Sequence, residues 1–336
     1  MHKNLIFHQL FESESSTYTY LLADSHSKEA ILIDTVIETV DRDLKLVEEL
    51  GLRLMYVLDT HIHADHVTGA GKIRHLTGAK TAVPKKANVP CADLNLSEGD
   101  QIAFGPFLIK VFETPGHTDA SLSFYCEGFI FTGDALLIRA TGRTDFQSGS
   151  SDQLYDSIHQ KLFKLPPDTK VYPAHDYQGF TASTIEVEIK CNPRVGGGKT
   201  KEQFVKIMSE LKLAYPKKID EALPANLACG HRPNDLTVNV QLINCKRLKE
   251  KMSEVLIVDV RGPEEFNGEL GHISEAHQIT LGEDVKIFLE GYSRDEEVVF
   301  VCRSGRRSEE AAIMGLSMGF TKVSSLEGGM LEWNKK

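Results

Sequence analysis

The segment THIHADH at residues 60–66 constrains this chain more than any other feature, because it places three imidazoles and a carboxylate in one short loop. It follows the apolar run at residues 55–58, so the loop extends from the end of a predicted strand. Imidazole and carboxylate groups are ligands for zinc, iron or manganese. The segment therefore predicts a metal site at the edge of a sheet.

Three further candidate ligands each follow a predicted strand or turn. They are His117 in TPGHTD, Asp134 in FTGDAL and His175 in YPAHDY. A lone loop histidine is usually a hydrogen-bonded structural residue, but that interpretation does not account for seven such side chains in one pattern. The full set comprises His61, His63, Asp65, His66, His117, Asp134 and His175. Spacing alone leaves open whether one metal or two would bind.

The remaining pattern predicts layers of helix and sheet in an α/β chain. Helices are expected at residues 39–50, before the stop signal Gly51, and at residues 67–76. Apolar runs between loops predict strands at residues 30–33, 55–58, 107–112 and 129–131.

Two domains are expected, since 336 residues exceed what one core usually organises. Residues 195–201 and 222–235 are rich in glycine, proline or asparagine and are interpreted as breaks, which places the domains at 1–235 and 236–336. In the second domain strands alternate with helices, which predicts a small parallel sheet. The expected elements are strands at 255–258 and 298–301, a short helix opened by Glu264 and a helix at 309–318.

The composition limits which binding partners and which cellular compartment are expected. The net charge of -10 should repel phosphate backbones and anionic membranes, so no nucleic acid partner is expected. We expect no membrane span and no secretory signal, and hence a cytoplasmic protein. The six cysteines are scattered without a CxxC pair, which predicts reduced thiols and no disulfide. Buried core positions are expected for Cys91, Cys126, Cys191 and Cys245.

Cys302 differs from the other cysteines in its context. It begins the loop CRSGRRS between a predicted strand and a predicted helix. The backbone N–H groups of such a loop, the helix dipole and nearby arginines stabilise a thiolate and can hold an oxyanion such as thiosulfate. Gly305 permits the tight turn. Cys302 is therefore the candidate nucleophile, and the cradle around it comprises Arg303, Ser304, Gly305, Arg306 and Arg307.

The ligand pattern as a whole resembles the metallo-β-lactamase superfamily, which implies an αββα sandwich with the ligands on loops at one edge of two facing sheets. The surrounding sequences DTHIHADHVTG, TPGHTDASLSF, FTGDALLIRATGRTDFQSGS and VYPAHDYQGFTASTIEVEIKCNPR resemble persulfide dioxygenases. In that family one Fe(II) per chain is bound by two histidines and an aspartate, which match His61, His117 and Asp134. The open positions of such a facial triad let a thiolate and O2 bind side by side.

The same resemblance assigns supporting roles. Four residues match second-metal ligands of related hydrolases but are expected here to act as hydrogen-bond partners: His63, Asp65, His66 and His175. The implied substrate is glutathione persulfide, whose carboxylates need cationic and hydroxyl partners. Candidate contacts in the matching motifs are Arg139, Arg143, Tyr177 and Arg194.

The C-terminal part resembles the rhodanese domain. The resemblance rests on CRSGRRS and on the preceding VLIVDVRGPEEFNGELGHISEAHQI. It implies a small α/β domain in which Cys302 carries a persulfide, while Asp259 and Arg261 support the fold and the loop. Phosphatases of this fold have a longer loop, so the six-residue cradle favours sulfur chemistry.

The hypothesis from sequence is an enzyme that oxidises glutathione persulfide to sulfite and glutathione with Fe(II) and O2, coupled to rhodanese transfer between thiosulfate and glutathione. The alternative is a dinuclear zinc thioester hydrolase of the glyoxalase II type with an appended rhodanese module. A third hypothesis makes the second domain a persulfide sensor or docking module that regulates the first domain. A homodimer is a family-level expectation.

Overall fold

The computed structural model describes residues 4–213, 215, 218–230 and 240–335. It divides into two compact units, Met1–Arg232 and Pro233–Lys336. The predicted boundary at 235 falls within residues 231–239, outside the described part, and stays a prediction.

The first unit contains two six-stranded sheets. The first sheet comprises β1 (Leu5–Glu12), β2 (Thr17–Asp24), β3 (Glu29–Ile33), β4 (Arg53–Leu58), β5 (Lys80–Pro84) and β6 (Leu94–Leu96). In this sheet β1 to β3 are antiparallel and β3 to β6 are parallel.

The second sheet comprises β7 (Gln101–Phe104), β8 (Phe107–Glu113), β9 (Leu122–Cys126), β10 (Phe129–Gly133), β13 (Lys170–Pro173) and β14 (Ser183–Thr184). A hairpin lies between β10 and β13 in sequence: β11 (Leu136–Leu137) and β12 (Ala140–Thr141). Among the described strands of the second sheet, only β10 and β13 pair in parallel.

The two sheets face each other across one apolar core because their strands alternate between two buried faces. In β2, Tyr20 and Leu22 belong to the core shared with the second sheet, whereas Leu21 and Ala23 pack under the outer helices of the first sheet. The outer faces are covered by α1 (Val40–Glu49), α2 (Ala70–Thr77), α3 (Ser151–Gln160), α4 (Ile185–Cys191) and α5 (Lys201–Glu210), and α6 (Ile219–Leu227) packs against the loop after β4. This is the αββα sandwich that was predicted.

The end of the first unit differs from the prediction. Residues 222–227, interpreted as a break, belong to α6, which contains Pro224. Ala222 and Ala225 of this helix pack against Val67 in the loop of residues 60–68 that carries the first predicted ligands, called the metal loop below. Tertiary packing thus outweighs the low helix propensity of the PAN sequence. Helix α2 also begins three residues later than expected, because residues 67–69 are held in the loop by backbone pairing to residues 35–37.

The cysteines correct another expectation. Cys91 and Cys229 form a disulfide across 138 residues, so the prediction of no disulfide was wrong. Their separation in sequence conceals a proximity that the fold creates. Of the four cysteines expected to be buried, Cys126 is buried, whereas Cys91 and Cys245 are partly exposed and Cys191 is exposed.

The second unit is a five-stranded parallel sheet in the order β15-β19-β18-β16-β17, as the alternating pattern predicted. Its strands are β15 (Gln241–Ile243), β16 (Leu256–Asp259), β17 (His277–Gln278), β18 (Glu297–Val301) and β19 (Lys322–Leu326). Its helices are α7 (Cys245–Lys251), α8 (Pro263–Phe266), α9 (Glu283–Leu289), α10 (Arg306–Ser317) and α11 (Gly329–Trp333). Among the described residues of both units, no helix is long and apolar enough to cross a membrane.

Candidate active site

One edge of the sandwich carries the predicted metal ligands, on the loops that follow β4, β8, β10 and β13. His61, His117 and Asp134 each present a ligand atom, and these atoms lie within 4.8 Å of one another. His117 Nε2 is 3.5 Å from Asp134 Oδ2. Asp134 Oδ1 is buried and has no hydrogen-bond partner among the described residues, as expected of an atom that faces a cation.

Hydrogen bonds orient both histidines of this group. His117 Nδ1 lies 2.8 Å from the Arg143 carbonyl oxygen, so Nδ1 must donate and Nε2 is left as the ligand atom. His61 Nδ1 is 3.0 Å from Thr60 Oγ1, whose hydroxyl donates to the Asp34 carboxylate. Gly133 makes this approach sterically feasible, because a Cβ there would lie 2.6 Å from Thr60 Oγ1.

The electrostatics of the site suit a cation. Burial, together with the neighbouring imidazoles, lowers the pKa of His61 well below its ordinary value, so its ring is neutral, as ligation requires. His175 behaves oppositely. Burial opposes its protonation, but the Asp65 and Asp134 carboxylates outweigh burial and raise its pKa to about 10. The Asp65 and Asp134 carboxylates therefore favour a positive charge at this edge of the sandwich.

A second group adjoins the first. Ligand atoms of His63, Asp65 and His66 also lie within 4.8 Å of one another. The predicted hydrogen bonding is present for His66, 3.0 Å from Asp65, while the ring of His175 lies 3.5 Å from the same carboxylate oxygen. His63 Nδ1 and His66 Nε2, however, are buried with no hydrogen-bond partner among the described residues.

Sequence reasoning missed Asp34, which lies 3.2 Å from His63 Nε2 and also accepts from the Thr60 backbone N–H at 2.7 Å. The available signal was a carboxylate directly after the apolar strand β3, the same signal that identified the other ligands.

A cavity of about 540 Å³ opens onto the first group. Three of the four predicted substrate contacts line it: Arg143, Tyr177 and Arg194. Arg143 is held in place by Asp145, with Nε–Oδ1 and Nη2–Oδ2 distances of 2.7 and 2.8 Å, and its guanidinium packs over the Phe146 ring. Tyr177 stacks on His175 and is 69% exposed, so its hydroxyl is accessible to a ligand.

Arg139 is the exception and is absent from the described lining of this cavity. Its guanidinium pairs with the fully buried Glu188 at 2.8 Å, and its backbone N–H donates to the other oxygen of the same carboxylate. A buried carboxylate requires such a partner. Arg139 therefore supports α4 instead of pointing at a ligand.

In the second unit, Cys302 directly follows β18 and is buried. Its Sγ accepts hydrogen bonds from the Gly305 backbone N–H at 3.2 Å and from the Ser308 hydroxyl at 3.3 Å. Ser325 donates in turn to Ser308 at 2.8 Å. Sequence reasoning missed Ser308, although it closes the CRSGRRS motif.

The rest of the cradle is partly open. Arg303 and Ser304 are exposed beside Cys302. Arg307 forms a two-pronged pair with Glu265 at 2.6 and 2.8 Å. The side chain of Arg306, predicted to join them, lies outside the described residues. The Cys302 sulfur is thus buried, while the Arg303 side chain beside it is exposed to solvent.

These geometries agree with comparisons to known proteins. The metallo-beta-lactamase superfamily matches residues 13–175, and the rhodanese-like domain matches residues 244–336. The mitochondrial persulfide dioxygenase ETHE1 of Homo sapiens is 50% identical over 228 residues, which are 67% of this chain and 89% of the human protein.

Among solved structures, ETHE1 from Myxococcus xanthus is 52% identical with a TM-score of 0.66, covering 67% of this chain and all of that one. A metallo-β-lactamase from Staphylococcus aureus is 20% identical with a TM-score of 0.62, and the match covers 97% of this chain and 99% of that protein. At this identity the likeness shows that the fold is shared and nothing about function.

Fold and site together define an enzyme of the metallo-β-lactamase superfamily that carries a C-terminal rhodanese-like domain. Within that superfamily, the chain belongs to the persulfide dioxygenase family.

Proposed function

We propose that the first unit oxidises glutathione persulfide to sulfite and glutathione, consuming one O2 and one water, with a single Fe(II) held by His61, His117 and Asp134. The observation that carries this proposal is the convergence of two imidazoles and one buried carboxylate oxygen without a hydrogen bond among the described residues. Iron held by these three residues would leave coordination positions for a thiolate sulfur and O2.

The residues of the cavity suit this substrate. Arg143 and Arg194 provide guanidinium groups for the carboxylates of glutathione, and the Tyr177 hydroxyl adds a donor at the mouth. Asp145 and Phe146 restrict the Arg143 side chain, which lowers the entropy lost on binding. Arg139 is left out of this set because it is absent from the described lining of the cavity.

In the second unit, the Cys302 thiolate attacks the outer sulfur of thiosulfate. The S–S bond breaks, sulfite leaves with the bonding electron pair, and a Cys302 persulfide forms. A glutathione thiolate then attacks the outer sulfur of that persulfide, which gives glutathione persulfide and restores the Cys302 thiolate. The reverse sequence uses the same atoms, and glutathione persulfide is the compound that both sites share.

Oxygen uptake by iron-loaded protein supplied with glutathione persulfide tests the first activity. We expect uptake with one iron per chain, and sulfite as product. Cys302→Ser should abolish thiosulfate sulfur transfer while leaving this uptake intact. Uptake that is absent from iron-loaded protein, or lost together with transfer in Cys302→Ser, would contradict the proposal.

A second candidate, a dinuclear zinc hydrolase of thioesters, is favoured by one observation. The unpartnered His63 Nδ1 and His66 Nε2 belong to a second group with ligand spacing beside the first. Two zinc ions per active chain and cleavage of S-lactoylglutathione would establish this reaction and exclude the dioxygenase.

We further propose that the enzyme works in the cytoplasm as a homodimer. Cell fractionation and sedimentation of the purified protein test these two points.

A further inference from the structure

Helix α6 lies against the metal loop and fits it closely. Ala222 and Ala225 pack on Val67 in the loop. At the end of the helix, a Cβ on Gly230 would lie 2.1 Å from the Thr68 carbonyl oxygen, so only glycine fits there. The Cys91–Cys229 disulfide ties the same turn to a loop after β5. The helix therefore has a defined position relative to residues 61–68.

Asn226 of this helix directs its whole side chain at the metal loop. Its Nδ2 donates to the His63 carbonyl at 2.8 Å and to the His66 carbonyl at 2.9 Å. Its Oδ1 accepts from the Thr68 backbone N–H at 2.8 Å. Both N–H bonds and the carbonyl of the amide are thus used by one six-residue stretch, and the side chain is 4% exposed.

The two ends of the loop are held by carboxylates. Asp34 accepts from the Thr60 backbone N–H at 2.7 Å, and Asp59 accepts from the Thr68 hydroxyl at 3.0 Å. Between these ends, Asn226 supplies the side-chain contacts to the backbone of residues 63–68 found among the described residues. Without the Asn226 amide, the buried carbonyls of His63 and His66 would lack a hydrogen-bond donor. The loop would have to shift for them to reach another donor.

We propose that Asn226 is a positioning residue for the metal: it holds the loop curled so that His61 faces His117 and Asp134. The inference rests on the metal binding in the proposed function, but not on iron or on persulfide. Groups that orient metal ligands typically change metal affinity roughly 10- to 100-fold when they are removed. We expect a loss in that range for variants of Asn226.

Two variants separate hydrogen bonding from packing. Asn226→Ala removes all three bonds and leaves a small void. Asn226→Asp keeps the shape and an acceptor for Thr68 but lacks the amide that donates to both carbonyls. The matched control is Val47→Ala, which removes buried apolar contacts between α1 and the first sheet, in a core cluster that includes no residue of the metal loop.

The experiment measures the dissociation constants of Fe(II) and Co(II) in the full-length protein by competition with a chromophoric chelator, well below each variant's melting temperature. The absorption spectrum of the Co(II) protein reports ligand geometry. We expect both Asn226 variants to bind the metals 10- to 100-fold more weakly with a changed Co(II) spectrum, whereas Val47→Ala melts earlier but keeps wild-type affinity and spectrum.

Wild-type affinity and spectrum in both Asn226 variants would overturn the proposal. An equal loss of affinity in Val47→Ala would also overturn it, because the effect would then follow from general destabilisation. Failure of the proposed function has a different signature: the wild-type protein would bind the metals, and the variants would weaken that binding, without any oxygen uptake on glutathione persulfide.

Discussion

Asp259→Asn should destabilise the second unit by about 3–5 kcal/mol, the cost of breaking a buried ion pair from one side. Asp259 and Arg261 are both completely buried. The Asp259 carboxylate accepts from Arg261 Nε at 2.9 Å and from Nη2 at 2.6 Å. The guanidinium also donates to the Glu265 and Gly271 carbonyls, at 3.2 and 2.8 Å. Asparagine retains the shape but leaves the guanidinium charge uncompensated, and these two carbonyls cannot neutralise it.

Urea unfolding followed by tryptophan fluorescence measures this loss. Trp333 is the one tryptophan of the chain and lies on α11 in the second unit, so its signal reports the unfolding of that unit. Domains of this size have a free energy of unfolding of roughly 5–15 kcal/mol. The expected loss should therefore lower the urea concentration at half unfolding strongly, without changing how steeply the free energy of unfolding depends on urea.

The control is the double replacement Asp259→Leu with Arg261→Met, which removes both charges and should recover much of the lost stability. A loss below about 1 kcal/mol in Asp259→Asn would refute the reasoning, because an uncompensated buried charge cannot cost so little. A double variant less stable than Asp259→Asn would show that packing, and not charge, dominates at this position.

Three further outcomes are expected. Cys91→Ser with Cys229→Ser should lower the free energy of unfolding of the first unit by up to about 5 kcal/mol, the chain-entropy value for a 138-residue loop, and a reductant should destabilise the wild-type protein but not this variant in thermal melts. Burial lowers the pKa of His159 in the folded state, so the unfolded chain binds the proton more readily and stability should fall as the pH drops through about 6.5; His159→Phe should make the melting temperature fall less steeply with decreasing pH in that window. Ser308→Ala should slow alkylation of Cys302 by iodoacetamide roughly two- to tenfold, since the thiolate loses one of its two donors, and unchanged alkylation would contradict that role.

Short sequence patterns were enough to predict much of the fold and of the metal site. The strand-then-ligand spacing of His61, His117 and Asp134 predicted the group that the structure assembles, because the loops after β4, β8 and β10 lie at the same edge of the two facing sheets. The alternating strands and helices after residue 240 likewise predicted the parallel sheet that carries Cys302. Both predictions could be made because each pattern involves only residues that are close together in the sequence.

Contacts between distant segments could not be predicted in this way. The Cys91–Cys229 disulfide, the pairing of Arg139 with Glu188 and the bonds from Asn226 to the metal loop join residues that no short motif links. The amino-acid sequence by itself determined which side chains could bind a metal or carry sulfur. The tertiary structure decided which polar groups are satisfied by neighbours and which still face the cavity, because burial and distance exist only once the chain has folded.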